Sequence, residues 1–381
     1  MSIRTLINPN AGEILDGPRP DRAPLRFHRR LPGYEETPLV DAPKIANALG
    51  VGKVFIKDES GRLGLPAFKI LGASWAAYRA LEDRLGKDFG DWKEFGDLEE
   101  RLEPLRPLSL AAATDGNHGR AVARVARLLG LGAKIFVPAD MVLARRKSIA
   151  EEGAEVIVVD GTYDEAVERS ADAAGERALL VSDMSWPGYK RIPLWVIEGY
   201  STMLWEIDDE LESRNEEGPD LVVVQVGVSA FAAAVARHYR SPGASTRPKL
   251  MSVEPTSADC LLESVAAGRI VSVPGPHDSI MSGLNCGRPS LVAWPTVSVG
   301  IDILVTIDDG PAREAMRLAA ESGIESGETG AAGLGGLLEL LRAGEEEAAR
   351  KALGVGEDTR VLLFNCEGAT DPDAYRRITA G

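Results

Sequence analysis

Lys69 is the residue of this chain whose type and surroundings could support covalent chemistry. It stands in the apolar run LGLPAFKIL, between Phe68 and Ile70. Loss of water favours the neutral form of an amine, and a neutral amine can attack a carbonyl carbon to form a Schiff base. A lysine that extends its ammonium group to solvent from a helix N-terminus would leave the same pattern. Taken alone, the stretch favours this second interpretation, and both stay open.

Lys57, in the preceding apolar run KVFIKDE, calls only for a structural explanation. Asp58 and Glu59 follow it directly, and a charge in an apolar run needs a partner of opposite sign. The sequence therefore predicts that an ion pair with these neighbours satisfies Lys57.

The polar turn AATDGNHGR, residues 112–120, is the second candidate for chemistry. It follows an apolar run and opens a helix, so its backbone amides suit a ligand with negative charge, such as a carboxylate. A capping turn with Thr114 or Asp115 as the N-cap is the alternative, although it explains one polar residue rather than a whole run. The turn predicts substrate contacts from Thr114, Asp115, Gly116, Asn117 and His118.

The turn VGVSA at 226–230 joins the apolar run VVVQ to a helix of small residues. Amides at such a helix start suit a phosphate group. No Walker lysine follows, so the turn is not a nucleotide P-loop, and an ordinary strand-to-helix connection would look similar. Taken alone, the pattern at Gly227, Ser229 and Ala230 is a weak signal, and both interpretations stay open.

The stretch LLFNCEGATDP, residues 362–372, carries polar side chains after an apolar run. Asn365 or Cys366 could face a ligand there, because ligands bind at the carboxyl ends of strands in open α/β sheets. A helix cap formed by Thr370 or Asp371 explains the pattern equally well.

The stretch SDMSWPGYKR combines an acid with large aromatic residues. Asp183, Trp186 and Tyr189 could line a pocket. Aromatic residues in such stretches also serve packing or an interface, so the stretch alone leaves both uses open.

All these candidates lie next to apolar runs that alternate with helical patterns. Strands are predicted at 53–59, 108–113, 133–140, 154–161, 178–184, 220–227, 248–255 and 359–368. Helices are predicted at 68–85, 120–130, 141–153, 162–177, 230–240 and 257–268. Strands of this kind, buried on both faces, predict an α/β fold with open, twisted, mostly parallel sheets flanked by helices.

The length of 381 residues predicts two domains. The strand and helix units between residues 108 and 184 predict a small α/β domain over residues 86–205. Its first part, 86–107, is polar and charged and is interpreted as an insertion or linker. Residues 1–85 and 206–381 are predicted to form the larger domain.

Composition and charge argue against several classes of function. The formal net charge of −15 and the pI of about 4.9 predict no nucleic-acid partner, because an acidic surface repels phosphate backbones. No apolar run has the length that crosses a bilayer, and the N-terminus has no apolar signal core. A cytoplasmic protein without a membrane partner is therefore expected.

The cysteines and histidines are too few and too scattered for a metal site. There are three cysteines without a CxxC pair and four histidines, which predicts no bound metal. Cys260 and Cys286 could pair if they were near in space, but free thiols in a reducing cytosol are favoured.

Together and in this order, the motifs resemble those of the fold-type II pyridoxal-phosphate enzymes, the tryptophan synthase beta superfamily, and most of all the diaminopropionate ammonia-lyase family. The most specific motifs are AFK at Lys69, DGNHGR at 115–120 and GLNCG at 283–287. The resemblance extends over nearly the whole chain. Threonine dehydratases share the general scheme but not most of these motifs.

The resemblance implies that Lys69 carries pyridoxal 5′-phosphate as an internal aldimine. It also implies that Asn117 contacts the ring hydroxyl of the cofactor, that residues 227–230 hold its phosphate and that Cys366 is a further cofactor contact. A large pyridoxal-phosphate-binding domain, a small mobile domain and a homodimer are expected on the same basis.

The implied reaction is an α,β-elimination on 2,3-diaminopropionate, a small amino acid. Lys69 would take the α-proton of an L-amino acid, and Asp115 would take it from the opposite face of a D-amino acid. Loss of the β-amino group leaves an aminoacrylate that hydrolyses to pyruvate and ammonia. Asp115 and Asp183 match the acidic active-site residues of the family and suit the second ammonium group of the substrate, and Tyr189 is expected to contact the substrate.

The chain departs from the family pattern in two places. The phosphate turn of the family typically reads G-V-G-S, whereas Ser229 and Ala230 follow Val228 here, and Leu63 and Pro66 stand where the family usually has Phe and Asn. Two alternatives therefore stay open. One is a pyridoxal-phosphate-dependent lyase or dehydratase acting on another β-substituted amino acid, of the serine or threonine type or from a specialised pathway. The other is a non-catalytic protein that binds the cofactor or an amino acid.

Overall fold

The computed structural model describes residues 3–12, 19–114, 116–161, 163–342 and 347–380. The chain separates into two compact units. The first unit consists of Met1–Arg22, Glu36–Gly61 and Met203–Gly381, and the second unit consists of Ala23–Glu35 and Arg62–Thr202. Residues 62–85, which the sequence interpretation groups with the larger domain, fall in the second unit.

Strands and helices alternate along most of the chain. The strands are β1 (Arg4–Ile7), β2 (Leu39–Asp41), β3 (Lys53–Asp58), β4 (Ser109–Ala113), β5 (Gly132–Pro138), β6 (Glu155–Val159), β7 (Ala178–Leu180), β8 (Leu221–Gln225), β9 (Lys249–Pro255), β10 (Ile303–Ile307) and β11 (Arg360–Asn365). The helices are α1 (Ala23–His28), α2 (Pro43–Leu49), α3 (Lys69–Leu85), α4 (Phe95–Arg101), α5 (Asn117–Leu128), α6 (Leu143–Glu151), α7 (Tyr163–Asp172), α8 (Arg191–Gly199), α9 (Ser201–Ser213), α10 (Ala230–Arg240), α11 (Cys260–Ala267), α12 (Trp294–Gly300), α13 (Asp309–Glu321), α14 (Glu328–Arg342), α15 (Glu347–Leu353) and α16 (Pro372–Thr379).

A seven-stranded sheet forms the centre of the first unit, with the strand order β1-β10-β9-β8-β11-β3-β2. The two edge strands run antiparallel to their neighbours, and the remaining pairs are parallel. β8 and β10 are buried along their whole length, as expected of strands covered by helices on both faces. The prediction of a mostly parallel sheet is confirmed for this unit.

The core of the first unit lies between this sheet and the helices α2, α13 and α14. Alternate residues of the strands, such as Val223, Met251 and Val253, join apolar residues of the helices, such as Ile45 and Leu337, in one buried cluster. Because alternate residues of a strand share a face, this cluster covers one side of the sheet.

A four-stranded parallel sheet forms the centre of the second unit, with the order β6-β5-β4-β7. Since β4 and β7 are neighbours, the turns after their carboxyl ends lie side by side. One turn carries residues 114–117, and the other leads to Asp183. In the first unit, β8 and β11 are neighbours in the same way, and the turns after them carry Ser229 and Cys366.

The polar segment 86–107 is more structured than an open linker. Helix α4 and a 3₁₀ turn at Glu103–Leu105 lie within it. Asp97 accepts hydrogen bonds from two amides that precede α4, which stabilises the start of the helix. The side chains of Leu98 and Leu102 are buried, so the segment contributes to the packing of the second unit.

Lys57 is buried in β3, and its partner differs from the predicted one. Its ammonium group lies 2.7 Å from the carboxylate of Glu206 on α9, which is itself only 1% exposed. Asp58 points to the opposite face of the strand and accepts a hydrogen bond from Asn365. The ion pair therefore forms with Glu206, from a distant part of the chain, rather than with the adjacent Asp58 or Glu59.

Helices α3 and α8 of the second unit approach closely at Gly199. A Cβ atom at this position would lie 2.4 Å from the Leu71 carbonyl oxygen and 2.9 Å from the Gly72 Cα atom. Backbone atoms of a packed helix cannot move aside individually, so the helices would separate. We expect Gly199→Ala to lower the free energy of unfolding by about 1–3 kcal/mol, as measured by urea denaturation.

Gly96→Ala is the matched control for this prediction. Gly96 lies in α4 of the same unit, and a Cβ atom there meets no atom within 4 Å. Alanine is favoured over glycine in a helix by about 0.5–1 kcal/mol, so this variant should gain stability. Equal behaviour of the two variants would contradict the close-packing argument.

Three further observations concern the described residues as a whole. None of their helices combines the length and apolarity that crossing a bilayer requires. No group of three His, Cys, Asp or Glu side chains within them is arranged to hold a metal ion. Cys260 and Cys286 are not joined by a disulfide, as predicted.

Candidate active site

Lys69 is the first residue of α3, and its amine is held by a carboxylate. The Nζ atom lies 3.1 Å from Oδ2 of Asp183, and the Lys69 side chain is 20% exposed. The ring centroids of Phe68 and Tyr200 lie 5.5 and 6.0 Å from the same nitrogen. The Lys69 amine is therefore directed at a buried carboxylate rather than extended into water.

The chain approaches Lys69 through a left-handed turn at Leu63 and Gly64. Their φ angles are 51° and 71°, a region that is unfavourable for leucine. Arg124 of α5 donates a hydrogen bond to the Leu63 carbonyl oxygen at 3.1 Å, and Glu152 holds the Arg124 guanidinium. The turn before the lysine is therefore fixed from helix α5.

Asp183 is buried beyond the end of β7, with its side chain 8% exposed. Burial raises the pKa of the Asp183 carboxyl, but the charges of His118 and Lys69 lower it by more, and the pKa falls to about 2. Asp183 is therefore ionised across the neutral range. A buried anion at this point can hold an ammonium group, either that of Lys69 or one that replaces it.

His118 lies close to the same carboxylate and completes the Lys69–Asp183–His118 group. Its Nε2 atom lies 2.8 Å from the Val181 carbonyl oxygen, and because a carbonyl only accepts, Nε2 carries a proton. Its Nδ1 atom lies 3.9 Å from Asp183 Oδ2 and makes no hydrogen bond within the part of the chain that the structure describes. The Nδ1 edge of the ring therefore faces the Asp183 carboxylate.

Asp183→Asn tests the electrostatics of this group, because it removes the anion and keeps the shape. The pKa of Asp183 is lowered from its ordinary value of 3.8, so the carboxylate stabilises the fold above about pH 4, and this stabilisation is lost as the pH falls towards 2. We expect the variant to lose on the order of 2 kcal/mol of unfolding free energy at about pH 6 and progressively less at lower pH. Urea denaturation of both proteins between about pH 6 and pH 3 measures the difference, and a difference independent of pH would contradict the lowered pKa.

Contacts of Thr114 with nearby residues stabilise the predicted substrate turn after β4. Thr114 is buried, and its Oγ1 atom accepts a hydrogen bond from the Gly116 amide at 2.9 Å. A Cβ atom at Gly119 would lie 2.2 Å from the Thr114 methyl group, so glycine lets Thr114 pack against the helix. Asn117 begins α5 and is partly exposed. Asp115 lies outside the described residues.

The hydroxyl of Tyr189 makes hydrogen bonds with two backbone groups. It donates to the Leu180 carbonyl oxygen at 2.9 Å and accepts from the Ser182 amide at 3.0 Å, while its ring stacks on Trp186. Burial raises the pKa of Tyr189, which keeps the hydroxyl neutral. These contacts fix the chain just before Asp183, so the geometry favours a positioning role over the predicted substrate contact.

In the first unit, the turn between β8 and α10 fits a phosphate group. A Cβ atom at Gly227 would lie 2.7 Å from the Gly283 carbonyl oxygen, so glycine is needed for this close approach. Val228 and Ala230 are buried. The Ser229 hydroxyl is buried without a hydrogen-bond partner among the described residues, at the start of a helix whose first amides lack intrahelical partners.

Gln225, the last residue of β8, is a buried polar residue next to the candidate Cys366 that the sequence reasoning does not single out. Its Nε2 atom donates to the Phe364 carbonyl oxygen at 2.9 Å and to the Cys366 sulfur at 3.2 Å. Its Oε1 atom is buried without a hydrogen-bond partner in the described ranges. A polar residue that ends the apolar run VVVQ was the available signal.

The stretch after β11 contains both a cap and a candidate ligand contact. Asp371 accepts hydrogen bonds from two amides of the first turn of α16, which confirms the capping interpretation for this residue. Asn365 donates to the Asp58 carboxylate at 2.8 Å, so its amide nitrogen already has a structural partner. Cys366 is buried beside Gln225 and stays the candidate for cofactor contact.

Comparison with known proteins gives matches along nearly the whole chain. A family model described as "Pyridoxal-phosphate dependent enzyme" matches residues 30–359. The chain is 35% identical to the diaminopropionate ammonia-lyase of Salmonella typhimurium over 385 residues, which cover 98% of this chain and 93% of the relative.

Solved structures of the Escherichia coli diaminopropionate ammonia lyase are similar over the same extent. The complex with D-serine is 32% identical, has a TM-score of 0.90 and covers 99% of this chain and 97% of that chain. The complex with an aminoacrylate-PLP azomethine reaction intermediate is also 32% identical, has a TM-score of 0.89 and covers the same shares. The structural similarity therefore extends over nearly the whole chain.

Proposed function

This chain belongs to the pyridoxal-phosphate dependent enzymes and, among them, to the diaminopropionate ammonia-lyase family, and on that premise we propose that it converts 2,3-diaminopropionate and one water into pyruvate and two molecules of ammonia. Membership confirms the family resemblance, the fold type II class and the cofactor, pyridoxal 5′-phosphate. The enzyme is a lyase that breaks a carbon–nitrogen bond by α,β-elimination.

The observation that carries the proposal is the contact between Lys69 and a buried anion. Pyridoxal phosphate, when bound, supplies an electron sink for the electron pair that stays on the α-carbon after the proton leaves. The Nζ atom of Lys69 is proposed to hold the cofactor covalently and, once released, to take the α-proton of the substrate. The pair with Asp183 keeps this nitrogen in one position, 3.1 Å from Oδ2.

Asp183 explains why a substrate with two amino groups would suit this site. The β-amino group must leave as ammonia, so it has to be protonated when its bond to carbon breaks. A carboxylate with a pKa of about 2 stabilises an ammonium group beside it. We propose that the β-ammonium group of the substrate takes the place beside Asp183 that the Lys69 amine occupies in this structure.

The remaining site residues are proposed to contact different parts of the substrate and the cofactor. Asp115 would remove the α-proton of a D-substrate from the opposite face. The start of α5 would bind the substrate carboxylate through the turn of Thr114, Gly116, Asn117 and His118, with Asn117 also contacting the ring hydroxyl. The cofactor phosphate would bind at Gly227, Val228, Ser229 and Ala230, and Cys366 would contact the cofactor.

An absorbance spectrum of the purified protein, before and after addition of each substrate, tests the proposal. We expect a bound-cofactor band that changes with D- and L-diaminopropionate, together with release of pyruvate. Bound cofactor without pyruvate from either enantiomer would refute the substrate assignment. Faster turnover of serine, threonine or another β-substituted amino acid would favour the alternative lyase or dehydratase.

We further propose that the enzyme is a homodimer in the cytoplasm. The family resemblance supports the dimer, and the cysteines Cys260, Cys286 and Cys366, which form no disulfide among the described residues, suit a reducing compartment. Light scattering of the purified holoenzyme measures the assembly, and a monomeric mass would exclude the dimer.

A further inference from the structure

Ser229 combines two features that are unfavourable in the protein without a ligand. Its φ angle is 71°, and besides it only Leu63 and Asn215 among the described non-glycine residues have a positive φ. A residue with a Cβ atom is strained there, whereas glycine is not. The side chain is 2% exposed, and its hydroxyl has no hydrogen-bond partner in the described structure, although an unmade hydrogen bond of a buried group is destabilising.

The unpartnered hydroxyl lies at the start of α10. Ser229 is the residue before the first turn of this 11-residue helix, and its side chain makes no capping hydrogen bond. The first amides of a helix have no intrahelical partner, and the helix dipole favours an anion beside them. A hydroxyl that caps nothing is free to donate its proton to an anion that these amides bind.

Two contacts fix the turn just before Ser229. The Gly227 backbone packs against the Gly283 carbonyl oxygen, and a Cβ atom at residue 227 would lie 2.7 Å from this oxygen. The Val228 carbonyl oxygen accepts a hydrogen bond from the Ser290 amide at 2.9 Å. A preformed turn of this kind binds its ligand without reordering, so the left-handed conformation of Ser229 belongs to the built site.

We propose that the Ser229 hydroxyl is a direct ligand of the cofactor phosphate, and that serine is kept in a strained conformation because glycine would lose this ligand. The proposal rests on the proposed cofactor role of the turn. Ala230, which follows Ser229 and begins α10, carries no hydroxyl. This chain therefore offers its hydroxyl from the residue before the helix rather than from the first turn.

Two variants distinguish the effect of the hydroxyl on cofactor affinity from the effect of the backbone strain. A third variant serves as the control. Ser229→Ala removes the hydroxyl and keeps the Cβ atom, whereas Ser229→Gly removes both. Ser252→Ala is the control, because Ser252 on β9 of the same unit is also buried with an unpartnered hydroxyl. Pyridoxal, which lacks the phosphate, is the matched control ligand for pyridoxal phosphate.

Titration of each protein, stripped of cofactor and followed by absorbance, gives the expected pattern. The affinity for pyridoxal phosphate falls roughly 10- to 100-fold in both Ser229 variants, and the affinity for pyridoxal is unchanged. Inorganic phosphate raises the thermal midpoint of the wild type and has lost this effect in both variants. Without a ligand, Ser229→Gly melts above the wild type, because the strain and the unsatisfied hydroxyl are both removed. Ser252→Ala keeps the wild-type affinities.

Several results would overturn the proposal. One is wild-type affinity for pyridoxal phosphate in Ser229→Ala, and another is an equal loss of affinity for pyridoxal. A third is wild-type affinity in Ser229→Gly alone, because the loss in Ser229→Ala would then come from the backbone. A wild type that responds to inorganic phosphate through Ser229, but forms no reducible adduct on Lys69, would support the phosphate site and refute the proposed function.

Discussion

Replacing Lys69 with alanine is expected to remove both turnover and the covalent bond to the cofactor. Loss of a proton-transfer group alone lowers kcat by about 10²–10⁴-fold, and loss of the covalent attachment adds to this. Pyruvate release from D- and L-diaminopropionate measures the first effect. Borohydride reduction followed by mass spectrometry of the peptide that contains residue 69 measures the second.

Lys147→Ala is the control for this experiment. Lys147 lies on α6 of the same unit, is 79% exposed and pairs with Glu151 one turn further along the helix. It should keep wild-type turnover and a reduced adduct on Lys69. A reduced adduct on another lysine of Lys69→Ala, or turnover above about a tenth of wild type, would show that a different amine does the chemistry; the smallest expected loss is already about a hundredfold.

Lys57→Met should cause the largest loss of stability, about 3–5 kcal/mol of unfolding free energy. The variant removes the ammonium group that lies 2.7 Å from the buried carboxylate of Glu206, and the Thr37 carbonyl oxygen loses the Lys57 donor at 2.7 Å. Removing one charge of a buried ion pair is unfavourable because burial keeps water from replacing the lost interaction. Urea denaturation followed by tryptophan fluorescence measures the change.

Two further variants test whether the loss of stability comes from the broken ion pair or from any substitution at residue 57. Lys57→Met combined with Glu206→Leu replaces the buried pair by apolar side chains, and most of the lost stability should return. Lys147→Met breaks an exposed pair and should change stability by about 0.5 kcal/mol or less. A Lys57→Met variant as stable as Lys147→Met would disprove the role of the buried pair.

The buried parallel strands could be predicted from the sequence because each is an apolar run bounded by turn residues. β8 and β11 lie within the predicted runs, and helix α10 has the predicted bounds of 230–240. The edge strands β1 and β2 have four and three residues, too few to display a period. β10 has the same apolar pattern as β8. The sequence therefore also contains the signal for this strand, although it is missing from the predicted strands.

The residue types of the candidate site could be predicted from the sequence, but the contacts between these residues could not. Lys69 and Asp183 stand out by chemistry and motif, but their distance depends on how β7 and α3 pack. The contact of His118 with Asp183 follows from β4 and β7 being neighbours, which no local pattern records. The left-handed conformation of Ser229 is hidden for a related reason, because glycine is the usual sequence signal for positive φ.

The position of β11 governs when the larger sheet can form during synthesis. β11 is the last of its seven strands in sequence, yet it lies between β8 and β3. Until residue 365 has left the ribosome, β8 and β3 lack their common neighbour and expose backbone groups that other chains can pair with. The strands of the smaller sheet all lie between residues 109 and 180, so that sheet can fold earlier. An interrupted chain is thus expected to aggregate through its larger sheet, and complete translation becomes a condition of solubility.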